Sequence, residues 1–178
     1  MACGTGIWTA ELLKIADRIT AIDTCSKLAS ASIKYLDRDL FRWRSKLEYN
    51  LVFFSFWLSH VPPDFLEEFL RKVYKSVRSL LGKLFIIDSR KNSTSTAKNH
   101  ILNNNETIFQ KRKLNDDREF QIIKIFYELD FLKEKLDSIG FNPEVKLTEK
   151  LFYLCCGFKK IVSIYIEKRL ILVARYIR

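Results

Sequence analysis

Residues 49–89, "YNLVFFSFWLSHVPPDFLEEFLRKVYKSVRSLLGKLFIIDS", read as a strand, a helix and a second strand in succession. "YNLVFFSFW" at 49–57 is a continuous apolar run, the pattern of a strand buried on both faces. Pro62 and Pro63 suit a first helical turn, and Asp64, Glu67 and Glu68 lie near its positive dipole end. Phe65, Phe69, Val73 and Val77 then repeat every four residues, which predicts one core-facing stripe ending at Gly82. "KLFIIDS" at 83–89 is the next buried strand. Strand, crossover helix and strand at this spacing predict a parallel pair.

Upstream, Ile7, Ala10, Leu12, Leu13, Ile15 and Ala16 predict a helix of about ten residues. "RITAID" at 18–23 and "IKYLD" at 33–37 read as short strands, with "TCSKLASAS" between them permitting a short helix. Downstream, 90–107 is polar and loop-like, a candidate lid. "TIFQKRKL" and "REFQIIKIFY" flank "NDD" as a hairpin. "ELDFLKEKLDSIG" is an amphipathic helix closed by Gly140, and "PEVKLTEKLFYLCCGFK" offers two more strands. The predicted class is α/β: a doubly wound parallel sheet with an antiparallel end.

The chain has 178 residues, 48% of them hydrophobic, enough for one domain with a sizeable core. It has neither a signal-peptide pattern nor an apolar run of about 18 residues, which predicts a cytoplasmic protein without a transmembrane segment. Cys3, Cys25, Cys155 and Cys156 form no CxxC pair, and only His60 and His100 could join them, so no metal site is expected. The net charge of +10 raises a nucleic-acid partner. Six basic residues against Glu167 in 159–178 hold half of that excess, and the rest is spread over helix faces, so a small-molecule partner is favoured.

Gly4 and Gly6 make a turn in which a backbone can approach a ligand closely. Asp23 stands 17 residues beyond Gly6 at the end of a predicted strand, where a carboxylate can accept both hydroxyls of a ribose. Its alternative role is to initiate a turn. Asp39, after the next strand, can receive an adenine amino group. A nucleoside cofactor lying across the strand ends follows from that joint pattern.

Four segments carry a family resemblance: "ACGTGIWTAELLKIADRITAIDTCSK" (2–27), "DLFRW" (39–43), "YNLVFFSFWLSHVPP" (49–63) and "GKLFIIDSR" (82–90). Together they resemble the class I S-adenosylmethionine-dependent methyltransferases over roughly residues 2–158, which sets a methyltransferase-like domain at 1–158. "FFSFWLSHVPP" and "LNDDREFQIIKIFY" resemble one bacterial subgroup of uncertain substrate. The resemblance implies a Rossmann-like sheet of order 3-2-1-4-5-7-6, with strand 7 antiparallel, and S-adenosylmethionine as cofactor. It also implies site roles. Gly4 and Gly6 would cradle the methionine part, Asp23 the ribose, Asp39 with Leu40 the adenine, and Phe56 with Trp57 the pocket beyond the fourth strand.

Methyl transfer needs alignment of donor and acceptor, and an oxygen or nitrogen acceptor also needs a proton removed. His60 is the candidate base, with packing at a helix entrance as its alternative. Tyr127 is the candidate for positioning the acceptor, or is core. Trp57 is pocket wall or core, and Trp8 and Trp43 read as packing.

The family's first strand has no counterpart ahead of Cys3, which points to a truncated frame. That sets methyl transfer to a small acceptor against a non-catalytic remnant or binding module of the same fold. A basic nucleic-acid-binding domain is the third reading. Residues 159–178 form an apolar and basic extension, in which "RLILVA" at 169–174 has the composition of a buried strand.

Overall fold

The computed structural model describes residues 7–23, 31–90, 100–101, 108–113, 117–148 and 152–160. Gly4, Gly6, Cys3, Cys25, most of the expected helix at 24–32 and the segment 161–178 lie outside these residues.

Helix α1 (Ile7–Leu12) leads into the parallel strands β1 (Ile19–Asp23) and β2 (Ile33–Asp37). Their register sets Ile19 beside Ile33 and Asp23 beside Asp37, so two carboxylates share the carboxyl end of this pair. Helix α1 has six residues, shorter than expected, and Ile7 and Ile15 are 73% and 80% exposed. Trp8 instead anchors it, tilted against Phe53 at 5.6 Å.

Strand β3 (Leu51–Ser55), helix α2 (Pro63–Ser76) and strand β4 (Lys83–Ser89) realise the expected strand–helix–strand unit, with β3 and β4 parallel. Val52 and Phe54 are buried on one face of β3, while Phe53 on the other is half-buried beneath Trp8. The expected burial on both faces is therefore complete on one only.

Helix α2 departs from its predicted stripe. The buried apolar residues are Leu66, Phe69, Leu70 and Val73, an i, i+3, i+4, i+7 set, and Phe65 is 50% exposed. A repeat of four drifts off one face of a 3.6-residue helix, which rotates Phe65 outward. The helix also stops at Ser76 rather than at Gly82. Val77 keeps its N–H on the carbonyls of Val73 and Tyr74 but is extended and bridges to Tyr49: Tyr49 N–H donates to Ser76 O and Arg78 N–H to Tyr49 O.

Beyond β4, the polar stretch contains a two-residue strand, β5 (His100–Ile101), where only loop was expected. It pairs with β6 (Phe109–Lys113), which pairs with β7 (Glu119–Ile123), both antiparallel. The hairpin thus forms as read, although its second strand stops four residues before Tyr127.

Helix α3 (Leu129–Ile139) buries Leu132, Leu136 and Ile139. It ends at Gly140, whose φ of 112° is left-handed and whose N–H caps the carbonyls of Leu136 and Asp137. Strands β8 (Phe141–Leu147) and β9 (Phe152–Lys159) then pair antiparallel, and β9 also pairs antiparallel with β4. Strand β9 runs one residue into the segment set apart at 159.

The sheets are β1-β2, β3-β4-β9-β8 and β5-β6-β7. No strand among the described residues joins β1 to β3. Side chains join them instead, since Tyr49 and Trp57 pack on the main core and also on the small cluster of Ile22, Leu40 and Trp43. The main core lies between the four-stranded sheet and helices α2 and α3. No helix among the described residues is long and apolar enough to cross a membrane.

Candidate cofactor and acceptor site

Most of the residues singled out from sequence lie at or just after the carboxyl ends of β1, β2 and β3. Asp23 closes β1, half-buried. After β2 the chain turns at 38–43, where Asp39 caps the turn: its Oδ1 accepts from Phe41 N–H at 2.8 Å and its carbonyl accepts from Arg42 and Trp43. Arg42 meets the other carboxylate oxygen at 3.6 Å in an exposed pair of little energetic weight. Leu40 is only 5% exposed and packs with Ile22 and Trp43 in a small core beneath the turn. Trp43 is packing, as read.

The turn after β3 is strained. Phe56 has φ 51°, a left-handed conformation that costs a non-glycine residue about 1–3 kcal/mol. Its N–H donates to Ile87 O at 2.8 Å and its ring meets Phe152 edge-on at 5.2 Å. Trp57 is half-buried against Phe41 at 5.6 Å and Phe69 at 6.4 Å. Its indole Nε1 is buried without a hydrogen-bond partner among the described residues. A buried N–H left so is a donor in want of an acceptor. The Phe41–Trp57 contact joins the turn after β2 to the turn after β3.

His60 ends a short 3-10 turn, Leu58–His60. Its Nδ1 lies 2.6 Å from the carbonyl of Ile123. Because a carbonyl only accepts, Nδ1 carries a proton; in the neutral ring Nε2 is then the imine nitrogen, the form a general base requires.

The preceding Ser59 is held from several sides. Its N–H donates to Asp88 Oδ2 at 2.9 Å, its carbonyl accepts from Ile125 N–H at 2.8 Å, and its hydroxyl accepts from Lys124 Nζ at 2.7 Å. Lys124 Nζ also lies 3.6 Å from Asp88 Oδ1, and Asp88 is wholly buried. Tyr127 donates its hydroxyl to Val61 O at 2.9 Å and stacks on Phe131. Burial, and then the charge of Asp88, pushes the Tyr127 phenol up to about 12. Its hydroxyl proton is committed to the backbone, which makes Tyr127 a strut beside the site.

Asp23, Asp39, Phe56, Trp57 and His60 thus occupy the ends or following turns of successive strands. Ser59, Asp88 and Lys124 are additions. Asp88 had a visible signal, an acid at the end of an apolar strand, and Lys124 had another, a charge interrupting "IIKIF".

No family model matches the sequence, and no curated protein matches it. Solved structures do. The DhpI–SAH complex superposes with a TM-score of 0.71 at 28% identity, covering 90% of this chain and 74% of that one. The DhpI–SAM–HEP complex gives 0.71 at 29% identity, covering 87% and 75%. The Burkholderia thailandensis 1,6-didemethyltoxoflavin-N1-methyltransferase, with its substrate and S-adenosylhomocysteine bound, gives 0.61 at 14% identity, covering 89% and 68%. The chain has the class I methyltransferase fold. In this methyltransferase fold, as in open α/β sheets generally, the ligand crevice lies at the carboxyl ends of the strands. That is the end at which Asp23, the Asp39 turn, Phe56–His60 and Asp88 all lie.

Proposed function

We propose that the chain binds S-adenosylmethionine across the carboxyl ends of β1 to β4 and transfers its methyl group to a small-molecule acceptor. The Phe41–Trp57 contact carries this reading, because it makes one continuous rim from the turn bearing Asp39 to the turn bearing His60. The buried, partnerless indole N–H of Trp57 fits a ligand bearing acceptor atoms. The DhpI complexes, whose ligands include SAH and SAM, support the same cofactor.

In this reading Asp23 accepts the ribose hydroxyls and Asp39 the adenine amino group, while Gly4 and Gly6 approach the methionine part. Bound S-adenosylmethionine supplies an activated methyl group on sulfur. The chain's contribution is alignment and exclusion of water. His60 receives the acceptor's proton at Nε2, its ring being oriented by the Ile123 carbonyl. Tyr127 and Lys124 hold the segment that faces His60.

Calorimetric titration with S-adenosylhomocysteine is the test. Saturable binding is expected, weakened by Asp23→Ala. Absence of heat at about 1 mM ligand would remove the reading. A fold that binds without turnover would bind this ligand yet pass no labelled methyl group to a panel of small hydroxyl and amine acceptors.

A further inference from the structure

Lys72 is a buried cation that the proposed chemistry does not use. It sits on α2 with its side chain 8% exposed. Its Nζ donates to the carbonyl of Phe41, 31 residues away, and pairs with Glu68 Oε1 at 2.7 Å. Glu68 is half exposed and also meets Arg44 at 3.6 Å. Desolvating an ammonium is unfavourable by several kcal/mol unless directed bonds offset it, and an apolar side chain of similar length would fill the same space without that cost. The ion pair with Glu68 offsets part of that cost, and the bond to Phe41 adds a directed link between α2 and another element that an apolar side chain could not make.

What it holds is the turn after β2. Phe41 is the hub of that turn: its N–H donates to Asp39 Oδ1, and its ring contacts Trp57 at 5.6 Å and Phe65 of α2 at 5.7 Å. The turn's internal bonds, from Arg42 and Trp43 to Asp39 O, define its shape but not its position relative to the rest of the protein. Lys72 supplies a directed bond from a different element, so the Phe41 peptide, and with it the Asp39 carboxylate, is fixed relative to α2.

We infer that Lys72 is a positioning residue for the nucleoside end of the cofactor site, setting the Asp39 turn through the Phe41 carbonyl. The inference rests on the cofactor reading above. Lys72→Met removes the tie and the charge together and keeps the volume. Its affinity for S-adenosylhomocysteine falls by about tenfold, the worth of one hydrogen bond, and its affinity for adenosine falls by the same factor. The matching losses separate positioning from general loosening, as does a melting temperature within a few degrees of the parent. Lys72→Arg, which can still reach a carbonyl, recovers most of the affinity. Glu68→Gln, which leaves the Phe41 bond in place, stays within about threefold of the parent.

Equal affinity in Lys72→Met and the parent overturns the role. So does a loss in Glu68→Gln as large as that in Lys72→Met, which would assign the effect to the ion pair. If Lys72→Met does not fold, Lys72→Gln is read against the same criteria. A parent chain that binds neither ligand overturns the cofactor reading itself, and that result is distinct from binding that Lys72 does not affect.

Discussion

Asp88 and Ser59 are joined across 29 residues of chain by a 2.9 Å hydrogen bond from the Ser59 N–H to a wholly buried carboxylate. The bond fastens the turn that carries His60 to the end of β4. The other oxygen of Asp88 accepts from Ser89 N–H at 2.8 Å, and Lys124 balances its charge at 3.6 Å. Asp88→Ala removes a buried charge 3.6 Å from Lys124 and takes the acceptor away from the N–H groups of Ser59 and Ser89. It is expected to cost about 3–5 kcal/mol in urea unfolding, and Asp88→Asn less, because an amide oxygen still accepts. A loss below about 1 kcal/mol for the alanine variant would contradict this account.

Alkaline pH should unfold the protein in a defined window. The Tyr127 phenol is raised from 10.0 to about 12 by burial and the charge of Asp88, and the Cys155 thiol from 9.0 to about 12 by burial. The unfolded chain loses these protons first, so it binds fewer of them than the folded chain as the pH rises. The stability they contribute is fully present below pH 9 and is lost progressively as the pH approaches about 12. Urea midpoints should be flat from neutrality to pH 9 and then fall. Tyr127→Phe should flatten the descent above pH 10, and an unchanged slope would assign it to other groups.

Cys155 is buried in the core while Cys156, its neighbour, is partly exposed. The thiolate is the reactive form, and burial suppresses it. Peptide mapping after alkylation at pH 8 should find Cys155 unmodified in the native protein and modified in urea. Rapid native labelling at Cys155 would show that β9 opens locally.

Gly140→Ala should destabilise by about 1–3 kcal/mol, because the residue keeps a left-handed φ of 112°. A methyl group there would also meet the Tyr74 ring at 3.1 Å. Thermal denaturation reads the loss directly, and a neutral result would mean that the α3–β8 corner can relax.

Much of this architecture was open to reading from sequence because the signals were local. A β-branched run ending on Asp23, prolines ahead of α2 and a glycine after α3 each act within a few residues. The end of α2 was not legible, since "SVRSLL" is compatible with helix and stops only because Val77 finds Tyr49 across the sheet. The positions of Asp23, Asp39 and His60 at or just past strand ends were readable, because chain order alone places them there. The burial of Leu40 was not legible, because a leucine beside a candidate ligand residue looks the same whether it faces a pocket or Ile22. Lys72 was not identified, because a lysine on a helix reads as solvated surface, and the apolar run around Lys124 marked the residue without showing what it would meet. Their partners lie 31 and 65 residues away.

The antiparallel placement of β9 has a practical consequence. Phe158 stands beside Lys83, the first residue of β4, while Phe152 stands beside Ser89, the last. The chain therefore reaches Lys160 at the opposite pole of the sheet from the crevice, a strand length of about 20 Å away. An affinity handle or fluorophore attached at Lys160 would sit about a strand length from the carboxyl ends of β3 and β4, where the cofactor is proposed to bind.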